Sequence, residues 1–257
     1  EWKNGVPVFY QKDGVTYFDQ PMQFVVYRAE IDNDGIVGLY PRWIKSWEQQ
    51  RLHKMRFFTQ TTSVKQDDTQ VSIKVNGILT ADHCFTGFTI EAVYTVSHNG
   101  LLRVSLTVKP YGQMPMMLEY GSIGKDETMT PRLPRFGVCF PLTKDFASVR
   151  WFGRGPEQNY TDVLGAAPVG IYERPLQKLN FAYDVPQETG TRTDTRFLQI
   201  PGSSGTFTVY GNDTFSFSYH PWKLDNLRAA RHPSELKEDQ KNYLYIDYRM
   251  RALGSFS

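Results

Sequence analysis

Apolar residues recur at every second position through much of the chain, the period of a strand with one buried face. Val71, Ile73 and Val75 alternate with Ser72 and Lys74, and Phe88, Ile90, Ala92, Tyr94 and Val96 carry the same pattern over a longer run. Leu102, Val104, Leu106 and Val108 resume it after Asn99-Gly100, two residues tolerant of positive φ that predict a hairpin turn. Gly211-Asn212-Asp213 predicts a second turn, between strands at 207–210 and 215–219. Residues 149–152 and 243–248 read as further strands. Helical spacing is scarce. Trp43, Trp47, Gln50 and Lys54, with Ile44, Leu52 and Met55, predict a helix of two to three turns within 41–58. Asp225 and Asn226 are good capping residues, and the segment they open stops before Pro233, a second short helix. No fixed-period repeat and no Gly/Ser linker divides the chain. The expectation is one all-β domain over residues 1–257, an antiparallel sandwich, because helices are too few to make parallel crossovers.

Composition narrows the function classes. Apolar residues make up 40% and aromatics 14%, enough for a packed core and too much for a disordered chain. Lys and Arg number 29 against 27 Asp and Glu, so no basic excess favours nucleic acid or an anionic membrane surface. No apolar run reaches the roughly 18 residues of a spanning helix. Cys84 and Cys139 have neither metal-ligand nor redox spacing and read as buried thiols. That usage fits a reducing compartment, so cytoplasmic localisation is expected, with the periplasm as the alternative. The chain opens at Glu1-Trp2 without methionine and ends at Phe256-Ser257, which reads as a piece of a longer polypeptide.

Familiar catalytic spacings are missing: no G-x-S-x-G, H-E-x-x-H or G-x-x-x-x-G-K-[ST] occurs. Gly153-Arg154-Gly155-Pro156 resembles a dinucleotide fingerprint for three residues only, and Pro156 does not continue into a helix interior. His53, His83, His98, His220 and His232 have no metal-ligand spacing. Two polar stretches stand out, 157–162 after a Gly-Pro turn and 186–196 between aromatic segments. Bidentate pairing of Arg192 and Arg196 with Glu188, Glu157 or Asp162 would make a structural charge network, to which Arg154 also belongs. The other reading of these stretches is a sugar site beside Trp151 or Tyr160, since a pyranose offers one apolar face and a hydroxyl rim.

Five segments then resemble one family in order. Tyr27-Arg28-Ala29-Glu30-Ile31-Asp32-Asn33-Asp34-Gly35 resembles the W-R-A-P-x-D-N-D-x-G segment in the C-terminal domain of the large β-galactosidases of glycoside hydrolase family 2. Leu133-Pro134-Arg135-Phe136-Gly137 is similar to its L-P-R-x-G strand, and residues 151–162 to W-x-G-x-G-P-x-E-x-Y-x-D-R. Residues 186–196 are similar to P-Q-E-x-G-x-R-x-D-x-R, and Asp247-Tyr248 stands where the family has D-Y-x-Q-M-G-x-G-G. The sequence departs at Tyr27, Glu30, Glu157-Gln158 and Val163, which marks a divergent branch. Its last nine residues depart most, since the Trp that this domain lends to the galactose site has only Phe256 as a candidate substitute.

The resemblance implies a galactose-mutarotase-like supersandwich, here lacking its first strands and its last one or two. It implies a retaining glutamate pair on a TIM barrel elsewhere in the enzyme; retaining hydrolysis needs two carboxyl groups about 5–5.5 Å apart. The expected role is therefore accessory and inactive alone: walling the pocket for β-galactosides and supporting the barrel and other domains of the parent enzyme. Asp32, Asn33, Asp34, Asp247 and Phe256 are the expected pocket edge. No cofactor is expected in this domain, the magnesium and sodium of the family belonging to the catalytic one. Two rivals remain: a carbohydrate-binding or scaffold module, and an aldose 1-epimerase built on Glu188 and His220. Missing outer strands would leave open sheet edges, so homo-oligomers are expected.

Overall fold

The computed structural model describes residues 1–34, 42–112, 133–251 and 253. A short ribbon pairs β1 (Trp2–Lys3) with β2 (Val6–Pro7), and β3 (Tyr10–Lys12), β4 (Val15–Phe18) and β5 (Gln23–Val25) follow. After helix α1 (Arg42–Gln49), β6 (Arg56–Gln66), β7 (Gln70–Thr80), β8 (Gly87–Ser97) and β9 (Leu102–Tyr111) form a four-stranded antiparallel meander. The remaining strands are β10 (Arg135–Leu142), β11 (Ser148–Arg154), β12 (Val169–Pro175), β13 (Arg192–Pro201), β14 (Thr206–His220) and β15 (Asn242–Met250), with α2 (Leu224–Ala229) before the last. They join the early strands in a nine-stranded sheet of order β12-β11-β13-β14-β15-β10-β4-β3, with β5 also on β10. Every pairing is antiparallel, so the architecture is the expected all-β sandwich with two short α-helices.

One apolar core runs between the sheets. Ile73, Val75, Phe88, Ile90, Ala92 and Tyr94 face inward from the meander; Val138, Phe140, Leu244, Leu198, Phe217 and Trp151 meet them from the larger sheet. The alternation in β7 and β8 thus marks the buried face directly. The larger sheet also buries its second face: Cys139, Tyr243 and Tyr245 alternate with the core residues on β10 and β15 and pack against Val25. Gly137 is needed there, because a Cβ would lie 2.4 Å from Asp247 Oδ1 on the adjacent strand. Beside it a bulge leaves Tyr248 outside the register, 65% exposed.

Two local expectations need correction. Residues 211–213 do not turn the chain; β14 runs unbroken from Thr206 to His220. Its partners Phe197↔Tyr210 and Thr195↔Phe215 show why: the extra residues are taken up as a bulge against β13, and Gly211 permits the bend because its Cβ would meet Asp213 O at 2.2 Å. The helix of two to three turns expected within 41–58 is present as α1, which ends at Gln49; Leu52–Lys54 follow as a 3-10 turn, and by Arg56 the chain is strand; Pro41 and the Trp43 side chain lie outside the described residues. Helix α2 starts one residue early, with Lys223 at its N-cap, and Asp225 and Asn226 lie inside it.

Candidate functional site

Two of the segments expected at the pocket edge are brought together. The Asp32–Asp34 turn is a 3-10 turn closed by Asp34 N donating to Ile31 O at 3.0 Å. Asp34 does not face solvent: its carboxylate takes two hydrogen bonds from Arg28, at 2.7 and 3.0 Å, and one from Ile31 N at 3.0 Å. Arg28 is fully buried, stacks 5.4 Å from Trp47, and also donates to Ala29 O. A bidentate pair of this kind fixes the turn rather than offering a charge to a ligand. Asp32 and Asn33 project outward. Asn33 Nδ2 donates to Leu253 O at 2.9 Å, and Leu253 N donates to Asp162 Oδ1 at 3.2 Å. The loop, the C-terminal segment and the 157–162 stretch therefore share one rim. Asp247 is not on it, and Phe256 lies outside the described residues.

Asp247 instead sits on the second face of the large sheet, fully buried beside Arg135. Arg135 Nη2 donates to Asp247 Oδ2 and to Ser218 Oγ, each at 3.0 Å, and its guanidinium lies 4.7 Å from the Tyr245 ring. Nε reaches Asp247 Oδ1 at 2.9 Å, an ion-pair contact poorly aligned for a hydrogen bond. Burial pushes the Asp247 carboxyl up while Arg135 pulls it back. Glu188 shares this interior. Burial raises its carboxyl against the opposing pull of Arg135 and Arg28; Oε1 accepts from Thr191 Oγ1 at 3.2 Å, and Oε2 is buried without a hydrogen-bond donor among the described residues. His220 is also buried, and desolvation with Arg135 and Arg192 nearby pushes its imidazole down to about 3. A histidine so held is neutral and a poor proton donor. With Glu188 equally sealed, the epimerase pair has no path to a sugar.

The polar stretches do form a network, with different partners from those expected. Arg192 binds no carboxylate among the described residues: Nη1 donates to Leu179 O at 2.5 Å and Gly190 O at 2.8 Å, Nη2 to Pro156 O at 3.2 Å, and the guanidinium stacks 5.5 Å from Trp151. Arg196 donates to Asp194 O and lies over Phe152. Arg154 pairs with Asp194 at 2.6 Å, and Glu157 with Arg174 at 2.5 Å. Two neutral amides that the charge reading passed over do most of the tying. Gln158 accepts Gly190 N and Thr189 Oγ1 and donates to Tyr183 Oη; Asn159 accepts Thr193 N and Oγ1. Their sequence signals are adjacency to the Gly-Pro turn and a place in the family-like segment 151–162. A sugar site on Trp151 or Tyr160 is ruled out by burial, since they are 0% and 3% exposed. Among the described residues, no three His, Cys, Asp or Glu side chains converge on a metal position.

Residues 2–257 match the family model described as "Beta galactosidase small chain". A "Beta-galactosidase" of Vibrio cholerae is 31% identical over 98% of this chain, and that of Actinobacillus pleuropneumoniae is 26% identical over 96%. The "Beta-galactosidase" of Lactobacillus delbrueckii subsp. bulgaricus is 29% identical, again over 98%. In each case the match spans only 22% of the relative's length. The five ordered segments, the antiparallel sandwich and this end-to-end match lead to one conclusion: the chain belongs to the β-galactosidase small chain family.

Proposed function

We propose that this chain is the accessory C-terminal lobe of a retaining family 2 β-galactosidase. In this reading the two catalytic glutamates stand on a TIM barrel outside the chain, with the magnesium and sodium of that domain. The lobe walls the galactoside pocket and supports the barrel, and it does not hydrolyse sugars by itself. The observation that carries the reading is the rim, where the exposed Asp32-Asn33 turn and the segment ending at Leu253 are hydrogen bonded across the fold. Those are the segments that the family resemblance puts at the substrate. The neighbouring carboxylates of Asp34, Asp247 and Glu188 are 2%, 0% and 1% exposed, so they serve as supports behind the rim and not as reacting groups.

The test is hydrolysis of a chromogenic β-galactoside by the purified chain and by the polypeptide that contains the lobe together with its barrel. The expected result is no turnover by the chain and turnover by the longer protein, lost when either barrel glutamate is changed to glutamine. Turnover by the chain alone overturns the proposal.

A further inference from the structure

The segment after β15 closes on two remote loops through one residue. Leu253 has its carbonyl held by Asn33, 220 residues away, and its N–H held by Asp162, 91 residues away. A main-chain residue has one donor and one acceptor, and here both are taken by side chains from different loops. Each gripping group stands on a rigid base. Asn33 belongs to the turn pinned by the buried Arg28–Asp34 pair. Asp162 follows buried Tyr160, in a loop whose Asn159 N donates to Thr191 O at 2.8 Å and whose Tyr160 bridges to Val163. The held segment is itself anchored just upstream: Arg251 N donates to Pro134 O at 2.9 Å, Met250 Sδ accepts from Thr191 Oγ1, and Asp247 pairs with Arg135.

We propose that Asn33 and Asp162 are paired positioning residues, a two-sided clamp that holds the main chain of Leu253 between two loops and so sets this edge of the galactoside pocket. The inference rests on the pocket-walling role proposed above. The residue types fit the task. In Asp32-Asn33-Asp34 the one member that is not an acid is the one that must donate to a carbonyl. A carboxylate at 33 would turn an acceptor toward an acceptor, beside two acids of the same turn. Position 162 has the opposite demand. It must accept from an N–H, and either a carboxylate or an amide oxygen does so.

That asymmetry gives the test. Backbone hydrogen exchange at Leu253 is measured in the 257-residue chain, and KM and kcat for a galactoside in the polypeptide carrying lobe and barrel. Asp162→Ala, which removes the acceptor of the Leu253 N–H, is expected to speed Leu253 exchange about fivefold to tenfold, the effect of losing one hydrogen bond, and Asn33→Asp, which frees the carbonyl and loosens the segment, is expected to speed it by a smaller factor. Asp162→Asn, which keeps an acceptor, is expected to exchange as the unaltered chain does. The same ranking is expected in KM, raised several-fold by Asn33→Asp and Asp162→Ala and restored by Asp162→Asn, with kcat little changed. Both sites are at the surface, and far-UV circular dichroism checks that each variant is folded. Leu253 exchanging equally fast in all four proteins overturns the clamp. Faster exchange with an unmoved KM overturns its part in the pocket. A longer polypeptide without galactoside hydrolysis overturns the pocket-walling role itself, and exchange then decides the clamp alone.

Discussion

Arg192→Leu tests whether the 154–196 network is held by charge pairing or by carbonyl gripping. The guanidinium is 1% exposed and satisfies three carbonyls from three segments, those of Leu179, Gly190 and Pro156. Burial pushes Arg192 down to about 10, which still leaves it a cation at neutral pH. Leaving a buried carbonyl without a donor costs about 1–3 kcal/mol, so three such losses begin at about 3 kcal/mol. Lost stacking on Trp151 adds about 1 kcal/mol, and relief of the buried cation's desolvation offsets a comparable amount. The expected destabilisation is about 3 kcal/mol. Arg192→Lys keeps the charge but cannot span the three acceptors, and should lose about half as much. Glu157→Gln breaks only the Arg174 pair, whose glutamate side chain is 68% exposed, and should cost about 0.5 kcal/mol or less. Urea unfolding with an unchanged m-value reads all three. Arg192→Leu within about 1 kcal/mol of the unaltered chain, or Glu157→Gln matching it, refutes the carbonyl grip.

Asp34→Asn should cost about 3–5 kcal/mol in urea unfolding, because it leaves Arg28 buried without its counter-charge; a loss below about 1 kcal/mol would mean the pair is solvated. His220, with a folded pKa near 3, should show flat imidazole shifts by NMR between about pH 5 and 8, against a midpoint near 6.5 if it were open to water. The unfolded chain takes up this proton near pH 6.5 and the folded one does not, so the group removes stability as pH falls from there toward 3. Cys139 is fully buried and its thiol is pushed up to about 12, whereas Cys84 is partly exposed, so maleimide should label Cys84 first in the native protein; equal rates would contradict the buried second face.

The strands legible in advance were those with one wet face. β7, β8 and β9 alternate because they cover the core from one side. β6 escaped detection because it is a polar edge strand, exposed along almost its whole length, so no burial period is written into it. The start of β13 reads as a polar loop for the opposite reason: Arg192 and Thr193 are buried among hydrogen-bond partners, Thr195 is buried beside them, and all three break the apolar pattern. The rim was legible only through the family resemblance, since nothing in local spacing joins Asn33 to Leu253. The sequence placed Asp34 and Asp247 at the same edge without revealing that each is sealed against an arginine. The register of β10 on β15 sets Gly137 opposite Asp247 and so brings Arg135, two residues along the strand, to its carboxylate, a pairing that no local spacing writes into the sequence.

The central claim is that this lobe completes a catalytic unit whose acid groups lie outside it. It is tested most directly by adding the purified chain to the proposed barrel-bearing part of the enzyme, prepared without the lobe, and following galactoside hydrolysis. Neither part is expected to turn over substrate well alone, and activity is expected to rise with added chain to saturation. Full activity of the remainder without the lobe, unaltered by its addition, would contradict it.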